Sequence, residues 1–118
     1  MGKDVIQVTE EKIREIMKKF TLEAKKVYDT TLRSVILYGS CARGDFDQDS
    51  DIDILILLDV PQEELNVERK KILDVSERLD WDYDVVLTPV LQNYQLYQKY
   101  LSVSKFYQNV QREGVRYA

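Results

Sequence analysis

Two aspartates separated by one residue, Asp51-Ile52-Asp53, run straight into five consecutive aliphatic residues, Ile54-Leu55-Ile56-Leu57-Leu58. A short run with no polar face suits a strand buried on both sides. On such a strand Asp51 and Asp53 share one face, so the strand enters the core from a polar cleft. Two anions held that close are costly, and one would tend to keep a proton. A divalent cation turns the same pair into a clamp for phosphate oxygens. A solvated strand edge would also accept both acids, but the apolar run behind them speaks against a casual surface pair.

The segment ahead of this pair has a complementary character. Val35-Ile36-Leu37-Tyr38 is a second short apolar run, stopped by Gly39-Ser40. A short helical turn is expected from Ser40 to Gly44 and a polar loop from Asp45 to Ser50. Gly39 lets the backbone turn sharply and approach a ligand. Ser40 opens the turn with free N–H groups and a hydroxyl, which suit the terminal phosphates of a triphosphate; a plain N-cap explains the same serine. The P-loop pattern fails, because Asp45-Phe46 stand where Lys and Ser or Thr are required. The dinucleotide fingerprint fails for want of its middle glycine. Arg43 can reach the phosphates or pair with Asp45 or Asp47. Ser50 caps the turn into the aspartate strand or contacts a metal-bound water, and Cys41 reads as a small neighbour of the site whose pKa a helix N-terminus could lower.

The remaining elements follow from periodicity. Thr9 is an N-cap with Glu10 and Glu11 behind it, and Ile13, Ile16, Met17, Phe20, Ala24 and Val27 form a helical stripe to about Thr30. Pro61 suits a first helical turn, and Leu65, Ile72, Val75 and Leu79 mark a second long helix whose charged run, Glu63 to Lys71, is a solvated face. A third strand is expected over Tyr83-Asp84-Val85-Val86-Leu87, ended by Thr88-Pro89. Leu91, Tyr94, Tyr97, Leu101, Phe106, Tyr107 and Val110 point to two short helices ending near Gly114, with the tail tyrosines read mainly as packing. Helix, strand, strand, helix, strand, helix predicts an α/β or α+β fold, a small mixed sheet flanked by helices, as one domain over residues 1–118.

Composition narrows the chemistry further. The chain has no histidine, which removes Ser-His and Cys-His catalysis and imidazole acid–base work. A net charge of −4 runs against a nucleic-acid-binding surface. One cysteine allows no internal disulfide and fits a cytoplasmic location, as does the lack of a leader-like apolar run or a bilayer-length span. Asp84, on the expected third strand, supplies a third carboxylate that could bind metal and take a proton from an attacking hydroxyl; Asp82 on the same face competes with it.

Gly39-Ser40, ten intervening residues, Asp51-Ile52-Asp53 and then the acid Asp84 resemble the DNA polymerase β-like nucleotidyltransferase superfamily. The flanks Ala42-Arg43-Gly44 and Ser50-Asp51-Ile52-Asp53 look most like its minimal nucleotidyltransferases (MNT). The resemblance implies catalysis and Mg²⁺ binding by Asp51, Asp53 and Asp84, with two ions. It places the triphosphate of ATP against Gly39 and Ser40, with Arg43 and Ser50 alongside. It also implies transfer of AMP to a tyrosine of a helical HEPN ribonuclease toxin, which makes the chain an antitoxin. Cys41 departs from the family, where a larger Arg or Tyr is frequent. Two other readings keep part of this picture: transfer to a small molecule such as an aminoglycoside, and a non-catalytic partner-binding module.

Overall fold

A computed structural model describes residues 8–118; the N-terminal stretch that bears on a leader sequence lies outside the described residues. The first helix, α1 (Glu10–Tyr28), begins where the sequence places it: the Thr9 side chain accepts the Lys12 N–H at 3.1 Å. A 3₁₀ turn, Asp29–Thr31, leads into β1 (Leu32–Tyr38). The short α2 (Ser40–Arg43) and a loop precede β2 (Ile52–Leu58). A 3₁₀ turn, Gln62–Glu64, opens into α3 (Leu65–Tyr83), followed by β3 (Leu87–Asn93), α4 (Tyr94–Tyr100), α5 (Lys105–Glu113) and β4 (Val115–Arg116).

The strands form one mixed sheet in the order β3-β2-β1-β4. β1 runs antiparallel to β2 and to β4, while β2 and β3 are parallel, joined through α3. The sheet is covered on both faces. Val35, Leu37, Ile52, Ile54, Ile56, Leu58, Leu87 and Leu91 pack against Ile13, Ile16, Met17, Phe20 and Ala24 of α1 and Ile72, Val75 and Leu79 of α3. On the opposite face Ile36, Leu55 and Leu57 meet Tyr97 of α4 and Val110 of α5. This two-sided burial is why β2 is aliphatic without alternation. Two hydroxyls tie the helices of the larger layer together: Tyr28 donates to the Glu68 carbonyl at 2.7 Å, and Tyr83 donates to the Glu15 carboxylate.

One expected element moves. The run Tyr83 to Leu87 is not the third strand. The helix of Leu65, Ile72, Val75 and Leu79 continues through Tyr83, and Asp84 ends it in the left-handed conformation (φ 53°, ψ 54°), its N–H donating to the Asp80 carbonyl. Aspartate tolerates that conformation better than most residues. The strand begins at Leu87 and takes in Leu91, which the sequence pattern grouped with the tail helices; its alternating burial (Leu87, Pro89 and Leu91 inward) carries the signal. Pro89, read from sequence as a stop, sits within the strand because β3 is a sheet edge, where a missing N–H breaks no ladder. The two-residue β4 was not expected.

Ile56 is fully buried in the central strand. Ile56→Val should cost about 1 kcal/mol and Ile56→Ala roughly 2–5 kcal/mol, read from urea unfolding midpoints; equal midpoints for wild type and Ile56→Ala would contradict the described core.

Candidate active site

The site forms where β1 ends beside the start of β2. Tyr38, the last residue of β1, is the register partner of Asp53. Gly39 then turns the chain at φ 76°, ψ −158°, a region essentially reserved for glycine. Space demands glycine as well: a Cβ here would collide with Asp53 Oδ2 and lie 3.4 Å from its Cγ. The backbone of the turn therefore rests directly on the Asp53 carboxylate. The Ala42 and Arg43 N–H groups bond to the Gly39 carbonyl at 3.0 and 3.1 Å, so the Ser40 and Cys41 N–H groups at the head of α2 have no intrahelical partner. Gly44 closes the turn in the left-handed region, at φ 88°.

Asp53 is half-buried at the head of β2, and Asp51 is exposed one residue before the strand begins. The pair thus sits at the mouth of the core, with Asp51 just outside the strand on which the sequence pattern placed it. The loop between α2 and Asp51 is braced internally. The Ser50 hydroxyl accepts the Asp47 N–H at 3.0 Å and lies 3.3 Å from Asp47 Oδ1. Gln48 exchanges two hydrogen bonds with the Val8 backbone, at 2.7 and 3.2 Å. Arg43 takes the surface pairing with Asp45 that the sequence allowed, at 3.2 Å, and also lies 3.9 Å from Glu113 of α5.

Cys41 is buried, and its thiol lies 3.4 Å from the Asp51 carbonyl oxygen, to which it donates. Burial pushes the Cys41 thiol pKa up, and the Asp53 and Asp51 charges add to the rise against a lowering contact with Ser40. The helix N-terminus does not win, contrary to the sequence expectation; Cys41 braces the backbone between α2 and the aspartates. Tyr38 is also pushed up, first by burial and then by the Asp53 charge.

Asp84 does not join Asp51 and Asp53. It caps α3, is exposed, and precedes β3 by three residues. Among the described residues no three acids, cysteines or histidines gather as a metal cage. Asp82, the competing candidate, is an exposed residue of α3. The residue of β3 in register with Asp53 is Thr88, and its hydroxyl donates to Asp53 Oδ1 at 2.7 Å. Sequence reasoning passed over Thr88 because it treated Thr88-Pro89 as a terminator. It also passed over Asp80, whose Oδ1 accepts the Leu87 N–H at 2.8 Å and clasps α3 to β3. Burial raises the Asp80 pKa, that N–H opposes the rise, and the Glu77 and Asp51 charges support it.

The donor set fits a hard divalent cation. Mg²⁺ takes one or two carboxylates and completes its shell with water and phosphate oxygens, so Asp51 and Asp53 would be the residues to hold it. A cavity of about 360 Å³ opens further along the same sheet face, lined by Leu55, Val90, Gln92, Tyr100, Phe106 and Tyr107.

Residues 10–114 match the family profile described as a nucleotidyltransferase domain. The chain belongs to that family. It is 36% identical over 103 residues, 87% of its length and 96% of the relative's, to a protein of Methanocaldococcus jannaschii named as a putative protein adenylyltransferase. A second protein of that organism with the same designation is 35% identical over 98 residues, covering 83% of this chain and 90% of its own. Among solved structures, a nucleotidyltransferase from Sulfolobus solfataricus, itself named as putative, superposes with a TM-score of 0.61 at 20% identity, covering 99% of this chain and 90% of its own. A toxin-antitoxin structure with AMP-PNP aligns with a TM-score of 0.50 at 19% identity, covering 84% and 70%. The nucleotidyltransferase fold is thus shared, and the Gly39 turn and Asp51-Asp53 pair lie inside the matched segment.

Two outcomes follow for the nucleotidyltransferase site. Gly39→Ala should lower stability by about 1–3 kcal/mol through backbone strain alone, seen as a lower denaturation midpoint; an unchanged midpoint would contradict the turn geometry. Cys41 in the native protein should react with a disulfide reagent at pH 8 at least about tenfold more slowly than in the urea-unfolded chain, because a raised pKa leaves less thiolate; equal rates would contradict its burial.

Proposed function

We propose that the chain is a minimal nucleotidyltransferase that transfers AMP from ATP to a hydroxyl of a partner protein, a tyrosine of a HEPN ribonuclease toxin, and thereby acts as its antitoxin. The observation that carries the reading is the contact between Gly39 and Asp53, which sets a phosphate-accommodating turn directly against a carboxylate. The designation of its relatives as protein adenylyltransferases supports the same chemistry.

In this reading Asp51 and Asp53 would hold one or two Mg²⁺ ions, and the Gly39-Ser40 turn would receive the β- and γ-phosphates through the Ser40 and Cys41 N–H groups and the Ser40 hydroxyl. Bound Mg²⁺ would neutralise phosphate oxygens as negative charge accumulates. Ser50 and Gln48 hold the loop that delivers Asp51. The exposed Arg43–Asp45 pair is worth at most about 1 kcal/mol, so a phosphate at the α2 turn can compete for the guanidinium. The cavity beside Leu55 and Val90 gives room for the organic part of a substrate. The acceptor oxygen attacks the α-phosphorus, the bond from α-phosphorus to the bridging oxygen breaks, and pyrophosphate leaves. The acceptor's proton passes to solvent. With reactants aligned in this way, positioning and electrostatics supply most of the catalysis.

The test is mass spectrometry of a co-expressed HEPN partner incubated with the chain, ATP and Mg²⁺. A gain of one or more AMP units on tyrosine is expected. Asp53→Ala should lower transfer by two orders of magnitude or more, roughly the loss on removing a principal electrostatic group, while circular dichroism stays unchanged. A tight complex with no mass gain would overturn the catalytic reading in favour of neutralisation by contact.

A further inference from the structure

The parallel register of β2 and β3 decides which side chains can stand beside Asp53. Asp53 pairs laterally with Tyr38 on β1 and with Thr88 on β3. On that face of the sheet β3 presents Thr88, Val90 and Gln92, none of which is a carboxylate. Neighbouring strands lie about 4.8 Å apart, so the side chain standing directly beside Asp53 on β3 is that of Thr88. Asp84 cannot take that place from the C-terminal cap of α3.

Thr88 is engaged rather than merely adjacent. Its Oγ1 lies 2.7 Å from Asp53 Oδ1 and 3.4 Å from the Ile52 carbonyl oxygen. A hydroxyl has one proton to donate, and the shorter, charge-assisted contact to the carboxylate is the stronger of the two. A β-branched residue in a strand is also restricted at χ1, so the donor is held in place. With Oδ1 held by Thr88 and Oδ2 turned toward Gly39, the carboxylate plane of Asp53 is constrained from both sides.

We propose that Thr88 is a positioning residue of the cation site, orienting the Asp53 carboxylate through its hydroxyl. The inference rests on the nucleotidyltransferase reading of the site. It makes the hydroxyl of Thr88 the feature that matters, rather than its size. Removing an outer-shell partner of a ligating group weakens metal binding about 10- to 100-fold.

Mn²⁺ binding, followed by the electron paramagnetic resonance signal of free Mn²⁺ with a non-hydrolysable ATP analogue present, tests this without turnover. Four proteins are compared: wild type, Thr88→Val, Thr88→Ser and Asp53→Ala. Thr88→Val, close to isosteric but without the hydroxyl, should bind Mn²⁺ about tenfold more weakly or worse at an unchanged melting temperature, and Thr88→Ser should bind as the wild type does. Wild-type affinity in Thr88→Val, with binding lost in Asp53→Ala, would overturn the role of Thr88 alone. An equal loss in Thr88→Ser and Thr88→Val would overturn the hydroxyl as the agent. Undiminished binding in Asp53→Ala would overturn the reading of the site itself.

Discussion

No side chain fits between the end of β1 and the carboxylate of Asp53, and the rest of the site depends on that constraint. Because Tyr38 pairs with Asp53, the residue after it must pass across the carboxylate. Glycine alone gives both the clearance and the backbone angles. The turn that results brings the head of α2 to the cleft, and Cys41 ties that head to the backbone of Asp51. One strand register thus joins the Gly39 turn and the head of α2 to the Asp51-Asp53 pair.

The rigidity of this arrangement comes from the sheet beneath it. β2 is sealed by α1 and α3 on one face and by α4 and α5 on the other, so the strand carrying Asp53 has little freedom to shift. A one-residue slip would send Asp53 into the apolar layer and Ile54 to the cleft. The half-buried carboxylate is held instead between Gly39 and Thr88, and its charge is felt by the Tyr38 and Cys41 side chains, whose pKa values it helps to raise. A cation would relieve that concentration of negative charge.

The parts of the fold legible in sequence were those specified locally. Thr9 and the stripe from Ile13 to Val27 announce α1, and the apolar runs at Val35 and Ile54 announce β1 and β2. The Gly39 turn and the Asp51-Asp53 pair lie close together in sequence and were read as one unit. Legibility failed where tertiary pairing decides the outcome. Tyr83-Asp84-Val85-Val86-Leu87 has the composition of a strand, yet α3 carries through Tyr83 and Asp84 caps it. Thr88 meets Asp53 only through a parallel pairing reached across the 19-residue α3, and no local pattern encodes such a register. Pro89 compounded the error, because its exclusion from strands holds for central positions and not for an edge. β4 pairs with β1 from the far end of the chain, and two residues carry no periodicity of their own.

The most direct measurement is a crystal structure with Mn²⁺ and a non-hydrolysable ATP analogue, using the anomalous scattering of manganese to locate the cation. The account expects manganese bound by Asp51 and Asp53, with the terminal phosphates on the Gly39-Ser40 turn. Manganese and phosphates bound elsewhere on the chain, with the Gly39–Asp53 cleft holding neither, would contradict it.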